Sequence, residues 1–206
     1  VLTVDAPVHG ARDRERRAGF TLPAGVRAAN LEGWPPASMP KLQPGQSALF
    51  DGLLRRAPTW DDVGWLQTQT RLPILLKGVL HPEDARQAAR LNAAGLLVSN
   101  HGGRTLDTTP ATAAVLPRIA DALGGALPLL VDGGIRRGTD VLKAVALGAS
   151  AVLVGRPYVY GLANAGAMGV AHVLRLLRDE LEIAMALCGC RELAQISRSE
   201  EHTSEL

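Results

Sequence analysis

Cysteine is almost missing from this sequence. Only Cys188 and Cys190 occur in 206 residues, with one glycine between them. A disulfide framework or a zinc site needs more ligands at other spacings, so neither is expected. Two free thiols suit a reducing compartment, and a cytoplasmic location is the expectation. A dominant charge is missing too. The chain has 22 Lys and Arg against 20 Asp and Glu, a formal net charge of +2. The basic run from Arg12 to Arg17 reads as a solvated face, and no nucleic acid partner is expected. No stretch of 18 apolar residues exists, which argues against a membrane-spanning helix. No G-x-G-x-x-G follows an apolar run, so a Rossmann dinucleotide site is unsupported. No signal-peptide pattern opens the chain. It starts at Val1, already inside an apolar segment, and so reads as a fragment.

What is present is an ordinary soluble composition, 47% hydrophobic and 20% charged. The length suits one domain, or one with a small addition. Val1 to Val4 is short, apolar and β-branched, and Asp5-Ala6-Pro7 stops it. Thr3 and Asp5, two apart on a strand, face the same side. Arg12 to Arg17 could open a helix or a loop. Residues 21 to 58 are rich in Pro and Gly and read as a long irregular loop. Trp60 to Gln69 reads as a helix, with Asp61 and Asp62 near its positive end.

A regular rhythm follows. Pro73 to Gly78 is a buried strand, and Pro82 to Ala94 a helix with Pro in its first turn and Gly95 as stop. Leu96 to Ser99 is a strand. Thr109-Pro110 opens a helical stretch that Pro117 should kink or divide, ending at Gly124-Gly125. Leu127 to Val131 is a strand, Thr139 to Leu147 a helix, Ala151 to Val154 a strand, and Gly166 to Leu187 a last long helix. Strands apolar on both faces, alternating with helices, mean an α/β protein with a parallel sheet. Five strands fit either an open doubly wound sheet or a (β/α)8 barrel lacking its first part.

In such sheets the C-terminal ends of the strands share one rim, where α/β enzymes place their chemistry. Here the ends carry Thr3 and Asp5, Lys77, then Ser99, His101 and Arg104, then Asp132 and Arg136, and finally Gly155-Arg156. His101 is a general acid/base candidate. The guanidinium fork of Arg104 suits a carboxylate. Taken singly, a strand-end lysine is often a surface charge and Asp-Gly-Gly often only a turn. Their occurrence at every strand end favours a site. Asp132-Gly133-Gly134 with Arg136, then Gly155-Arg156 one unit later, offer bare N–H groups and two guanidiniums suited to a phosphate.

Ser99-Asn100-His101-Gly102-Gly103-Arg104-Thr105-Leu106-Asp107 resembles the signature of the FMN-dependent 2-hydroxy acid oxidases and dehydrogenases, the group of glycolate oxidase, lactate oxidase and mandelate dehydrogenase. Leu2-Thr3-Val4-Asp5, Leu75 to Gly78, Val131 to Gly138 and Val154 to Pro157 extend the likeness from Val1 to about Ile196. It implies a (β/α)8 TIM barrel of which residues 1–196 supply strands 4 to 8 with their helices. The group's first three strands, its two active-site tyrosines and part of the flavin-ring contact would then lie outside this chain. Two positions depart from the pattern. Ala11 stands where a second arginine is common, and Thr105 where glutamine is common.

The resemblance implies oxidation of an L-2-hydroxy acid to the 2-keto acid with FMN as cofactor. Arg104 would clamp the substrate carboxylate with Arg12 as second cation. His101 would take a proton from the substrate, and Asp5 would orient the imidazole. Lys77 would sit at the flavin's N1–O2 edge, and Thr3 and Ser99 would hydrogen-bond the flavin. Asp132 would bind the ribityl chain, and Gly133, Gly134, Arg136, Gly155 and Arg156 would serve the phosphate. The loop 21 to 58 would cover the site. The electron acceptor stays open between oxygen, a quinone and a cytochrome, and a homo-oligomer is expected for the group. The alternatives are an inactive truncated fragment and another FMN or phosphate barrel of the IMP dehydrogenase-like or isopentenyl diphosphate isomerase-like kind. Residues 197–206 match no segment of the group, resemble translated sequencing-adapter read-through, and are expected to be a non-native tail.

Overall fold

The computed structural model describes residues 1–35 and 41–198. Residues 36–40 of the long loop and 199–206 of the expected tail lie outside the described residues.

Five strands form one sheet in the order β1-β2-β3-β4-β5, and every pairing is parallel. They are β1 (Leu2–Thr3), β2 (Leu75–Lys77), β3 (Gly95–Val98), β4 (Leu129–Val131) and β5 (Ala151–Val152). All five lie where the apolar runs predict them. The register sets Thr3 beside Lys77, Lys77 beside Leu97, and Leu97 beside Leu130. Side chains alternate between faces along a strand. Leu76, Leu96, Val98, Leu129 and Val131 therefore point one way, into the main core cluster with Val63, Val115, Leu116 and Ile119. Thr3, Lys77, Leu97 and Leu130 point the other way. Continuing the same alternation past the strand ends puts Asp5, Ser99 and Asp132 on that second face.

The helices are α1 (Asp13–Arg17), α2 (Trp60–Gln69), α3 (Pro82–Arg90), α4 (Thr112–Leu123), α5 (Gly138–Ala146) and α6 (Arg156–Leu187). In α2 the expected acidic opening is a cap: Asp62 accepts from the Thr59 N–H at 2.7 Å and from the Thr59 hydroxyl at 2.8 Å. α3 ends at Arg90 rather than Ala94, because Asn92 takes a left-handed conformation (φ 56°) and the chain turns there. α4 starts at Thr112 rather than Thr109, and Pro117 does not divide it. The proline costs one interior hydrogen bond, while Val115, Leu116 and Ile119 bury the same helix against the sheet.

The last helix begins ten residues earlier than Gly166. Arg156 to Asn164 is already helical, with Pro157 in its first turn, where a proline costs no hydrogen bond. Ala165 and Gly166 leave helical geometry, Gly166 at φ 56° and ψ −142°, so the element is two helices joined at a bend. The described parts of the loop 21 to 58 hold only short turns of helix, at Ala29–Leu31, Ala48–Leu53 and Leu54–Arg56.

Candidate active site

Three polar side chains meet where β2, β3 and β4 end. Lys77 Nζ donates to Ser99 Oγ at 3.0 Å, and Ser99 Oγ donates to Asp132 Oδ2 at 2.8 Å. Lys77 Nζ and Asp132 Oδ2 lie 3.7 Å apart. Ser99 also accepts the His101 N–H at 3.1 Å. Its one proton and both lone pairs are thus engaged within the protein, and it is fully buried. The hydroxyl links the lysine, the aspartate and the loop that carries the histidine.

That loop is tightly built. His101 has φ 55°, the left-handed region that side chains other than glycine seldom occupy, and Gly102 follows at φ 63°. Asn100 Oδ1 accepts the Gly102 N–H at 3.1 Å and caps the turn. The result aims His101 Nδ1 at Asp5, 3.1 Å from Oδ1 and 3.3 Å from Oδ2. Asp5 can come this close because Gly78 (φ 104°) has no side chain, and a Cβ there would collide with the aspartate. The aspartate side chain is 12% exposed and the imidazole 34%, so the pair is sheltered while the ring remains accessible.

Arg104 and Arg12 also come together, with Glu15 between them. Arg104 Nη2 donates to Glu15 Oε1 at 2.9 Å, and Arg12 Nη1 to Glu15 Oε2 at 3.4 Å. Hydrogen bonding from Arg104, with the nearby charge of Arg12, holds the Glu15 carboxyl below its ordinary value of 4.5.

On the far side of the rim lies a cavity of about 480 Å³. Gly102, Gly133, Gly134, Lys143 and Arg156 are on its wall. Gly133 and Gly134 have φ of 88° and 80°. Arg156 Nη2 donates to the Gly102 carbonyl at 3.3 Å and ties the two loops together. Of the expected phosphate residues, Arg136 and Gly155 are not on this wall, and both are exposed. The Arg136 backbone N–H instead caps onto Asp140 Oδ2 at 3.0 Å. Thr3 ends β1 as an exposed residue. No group of three metal-ligating side chains occurs among the described residues.

Sequence reasoning missed three supporting residues. Glu15 was hidden in a charge run, Asn100 was read only as part of the motif, and Thr112 was hidden in a helix start. Thr112 is buried and its hydroxyl donates to the Asp132 carbonyl at 2.6 Å. None carries a pattern of its own, and only the turn or the fold gives each its partner.

A family model described as FMN-dependent dehydrogenase matches residues 1–203. The chain belongs to this family. An L-lactate oxidase of Roseobacter sp. (strain GAI101) is 54% identical over 197 residues, covering 96% of this chain and 53% of the relative. The glycolate oxidase of Spinacia oleracea is 50% identical over 199 residues, covering 96% and 54%. A crystal structure of mandelate oxidase with (S)-2-phenylpropionate superposes with a TM-score of 0.82 at 45% identity, covering 96% of this chain and 53% of that one. The chain thus spans about half the length of the curated relatives it matches. Its sheet is part of the (β/α)8 barrel of FMN-dependent oxidases, as the resemblance implies.

The residues present fit the family's cofactor. Asp132 Oδ1 is buried and has no hydrogen-bond partner, which leaves an acceptor waiting for a donor such as a ribityl hydroxyl. Lys77 supplies a cation beside it. Gly133 and Gly134 leave the backbone bare, with Arg156 on the same cavity wall, as a phosphate group needs.

Proposed function

We propose that this chain carries the base and the carboxylate receptor of an FMN-dependent enzyme that oxidises an L-2-hydroxy acid to the 2-keto acid. The observation that carries this reading is the His101–Asp5 pair, set on the same loop as Arg104 and beside Lys77 and Asp132. The names of the relatives, oxidases of lactate, glycolate and mandelate, support the substrate class. Their being oxidases favours oxygen over a quinone or cytochrome as final acceptor.

In this reading Arg104 and Arg12 hold the substrate carboxylate by charge-assisted hydrogen bonds. Nδ1 of His101 faces Asp5, which leaves Nε2 to take a proton from the substrate. Asp5 fixes the ring and stabilises it once protonated, the role of the acid in other His–Asp pairs. FMN, when bound, supplies the acceptor for the two electrons removed. Lys77 and Asp132, joined through Ser99, hold the ring edge and ribityl chain. Gly133, Gly134 and Arg156 receive the phosphate, with Arg136 and Gly155 available from the same loops. Thr3 offers its hydroxyl to the ring.

His101→Gln in the FMN-loaded enzyme tests the reading. Turnover should fall by roughly 10²–10⁴-fold, the range for losing a positioned base, while the flavin spectrum is kept. Turnover near that of the parent enzyme would remove His101 from the role of base.

A further inference from the structure

Arg12 and Arg104 come from distant parts of the chain, yet both close on one side chain, Glu15. Among the described residues no other carboxylate lies within ion-pair distance of either guanidinium. Two further contacts set this arrangement. Glu15 sits in the first turn of α1, and Arg12, the residue just before that helix, reaches its carboxylate from three positions upstream. Gly10 lies against the Arg104 and Thr105 carbonyls, where a Cβ would collide, so the strand-end segment before Arg12 rests directly on the Arg104 loop.

Each arginine uses a single terminal nitrogen on Glu15. Arg104 keeps Nη1 and Nε for another acceptor, and its side chain is 51% exposed. Two guanidiniums facing one space repel each other unless an anion lies between them. Glu15 is that anion, and its carboxyl is held ionised by the arginines themselves.

We propose that Glu15 is a positioning residue of the carboxylate receptor: it holds Arg12 and Arg104 side by side and sets the receptor's net charge at +1, which favours monocarboxylates over dicarboxylates. The inference rests on the reading of Arg12 and Arg104 as the substrate-carboxylate pair. A monoanion neutralises a receptor of charge +1. A dianion overshoots it and meets Glu15 as a like charge. Removing the Glu15 charge changes the electrostatic energy of a bound dianion about twice as much as that of a monoanion, whereas loss of positioning affects both anions alike. The ratio of the two affinities therefore isolates the charge, and their common change isolates the positioning.

The test measures Kd for acetate and for malonate in the FMN-loaded enzyme, read from perturbation of the flavin absorbance, in the parent, E15Q and E15D. In E15Q the preference should move toward malonate by roughly fivefold, as expected for one partly solvated charge at close range. In E15D, which keeps the charge on a shorter stem, both anions should bind more weakly with their ratio unchanged. An unchanged ratio in E15Q overturns the charge role, and unchanged affinities in E15D overturn the positioning role. If neither anion perturbs the parent enzyme saturably, the carboxylate reading of Arg12 and Arg104 falls, and this inference with it.

Discussion

Ser99 has one proton and two lone pairs, and the fold uses all three. It receives Lys77 and the His101 N–H and gives its proton to Asp132. Ser99→Ala would strip Asp132 Oδ2 of its hydroxyl donor beside an Oδ1 that already lacks a partner. An unsatisfied buried polar group costs about 1–3 kcal/mol, so FMN should bind about tenfold more weakly, measured by flavin release on dilution. Unaltered FMN retention would mean that the lysine and aspartate hold position without the serine. At this scale much of the site was legible. His101, Arg104, Asp5, Lys77 and Asp132 stand at strand ends, and the His-Gly-Gly-Arg motif marks the loop. The conformation that aims His101 at Asp5 was not legible, because it depends on Asn100 closing the turn and on Gly78 making room. The partners of Ser99 within the chain were not legible either. A serine's residue type says that it will hydrogen-bond, and only the fold says with what.

Between elements, the α5–α6 junction is built as tightly as the site. Glu180 on α6 accepts from Arg137 Nη2 at 2.9 Å and Nε at 3.3 Å, and from the Gly138 N–H at 2.8 Å. A Cβ at Gly138 would run into the α6 backbone at Glu180 and Leu181, so α5 starts in direct contact with α6. The Arg137 side chain, then the Gly138 N–H, holds the Glu180 carboxyl below its ordinary value of 4.5. A carboxyl with a lowered folded pKa stabilises the fold above the unfolded value and loses that contribution as pH falls through the lowered range. E180Q should therefore unfold at lower urea than the parent at neutral pH, and the gap should narrow steadily as the pH drops below 4.5. A gap independent of pH would assign the effect to packing alone. Element identity was largely legible here, since strand and helix alternate with proline and glycine at the joints. The first half of α6 was not. Gly155-Arg156-Pro157 reads equally well as the end of a strand or the start of a helix, and nothing local decides between them.

Across the whole molecule the two faces of the sheet differ. The helix-facing layer is a closed core, with Leu76, Leu96, Val98, Leu116 and Ile119 at 0% exposed. The other face carries the site and runs out to β1 and β5, the two strands at the ends of the sheet order. Val1 is 77% exposed at one end, and Val4 and Leu153 are exposed as well. Long parallel sheets are normally buried on both faces, and an open edge invites pairing with another chain. The loops proposed to hold FMN nevertheless follow strands whose other face is packed in the closed core. Ser99 follows β3, Asp132 to Gly134 follow β4, and Arg156 follows β5 and bonds back to Gly102. The chain by itself should therefore bind FMN saturably, seen as quenching of flavin fluorescence, while sedimentation shows it self-associating through the open edges. Arg156→Ala should weaken that binding by removing the cation on the cavity wall and the tie to Gly102. If the chain has folded by circular dichroism and still gives no saturable quenching, the phosphate end is not preformed by these five strands. It would then need contacts from segments beyond this chain's half of the barrel.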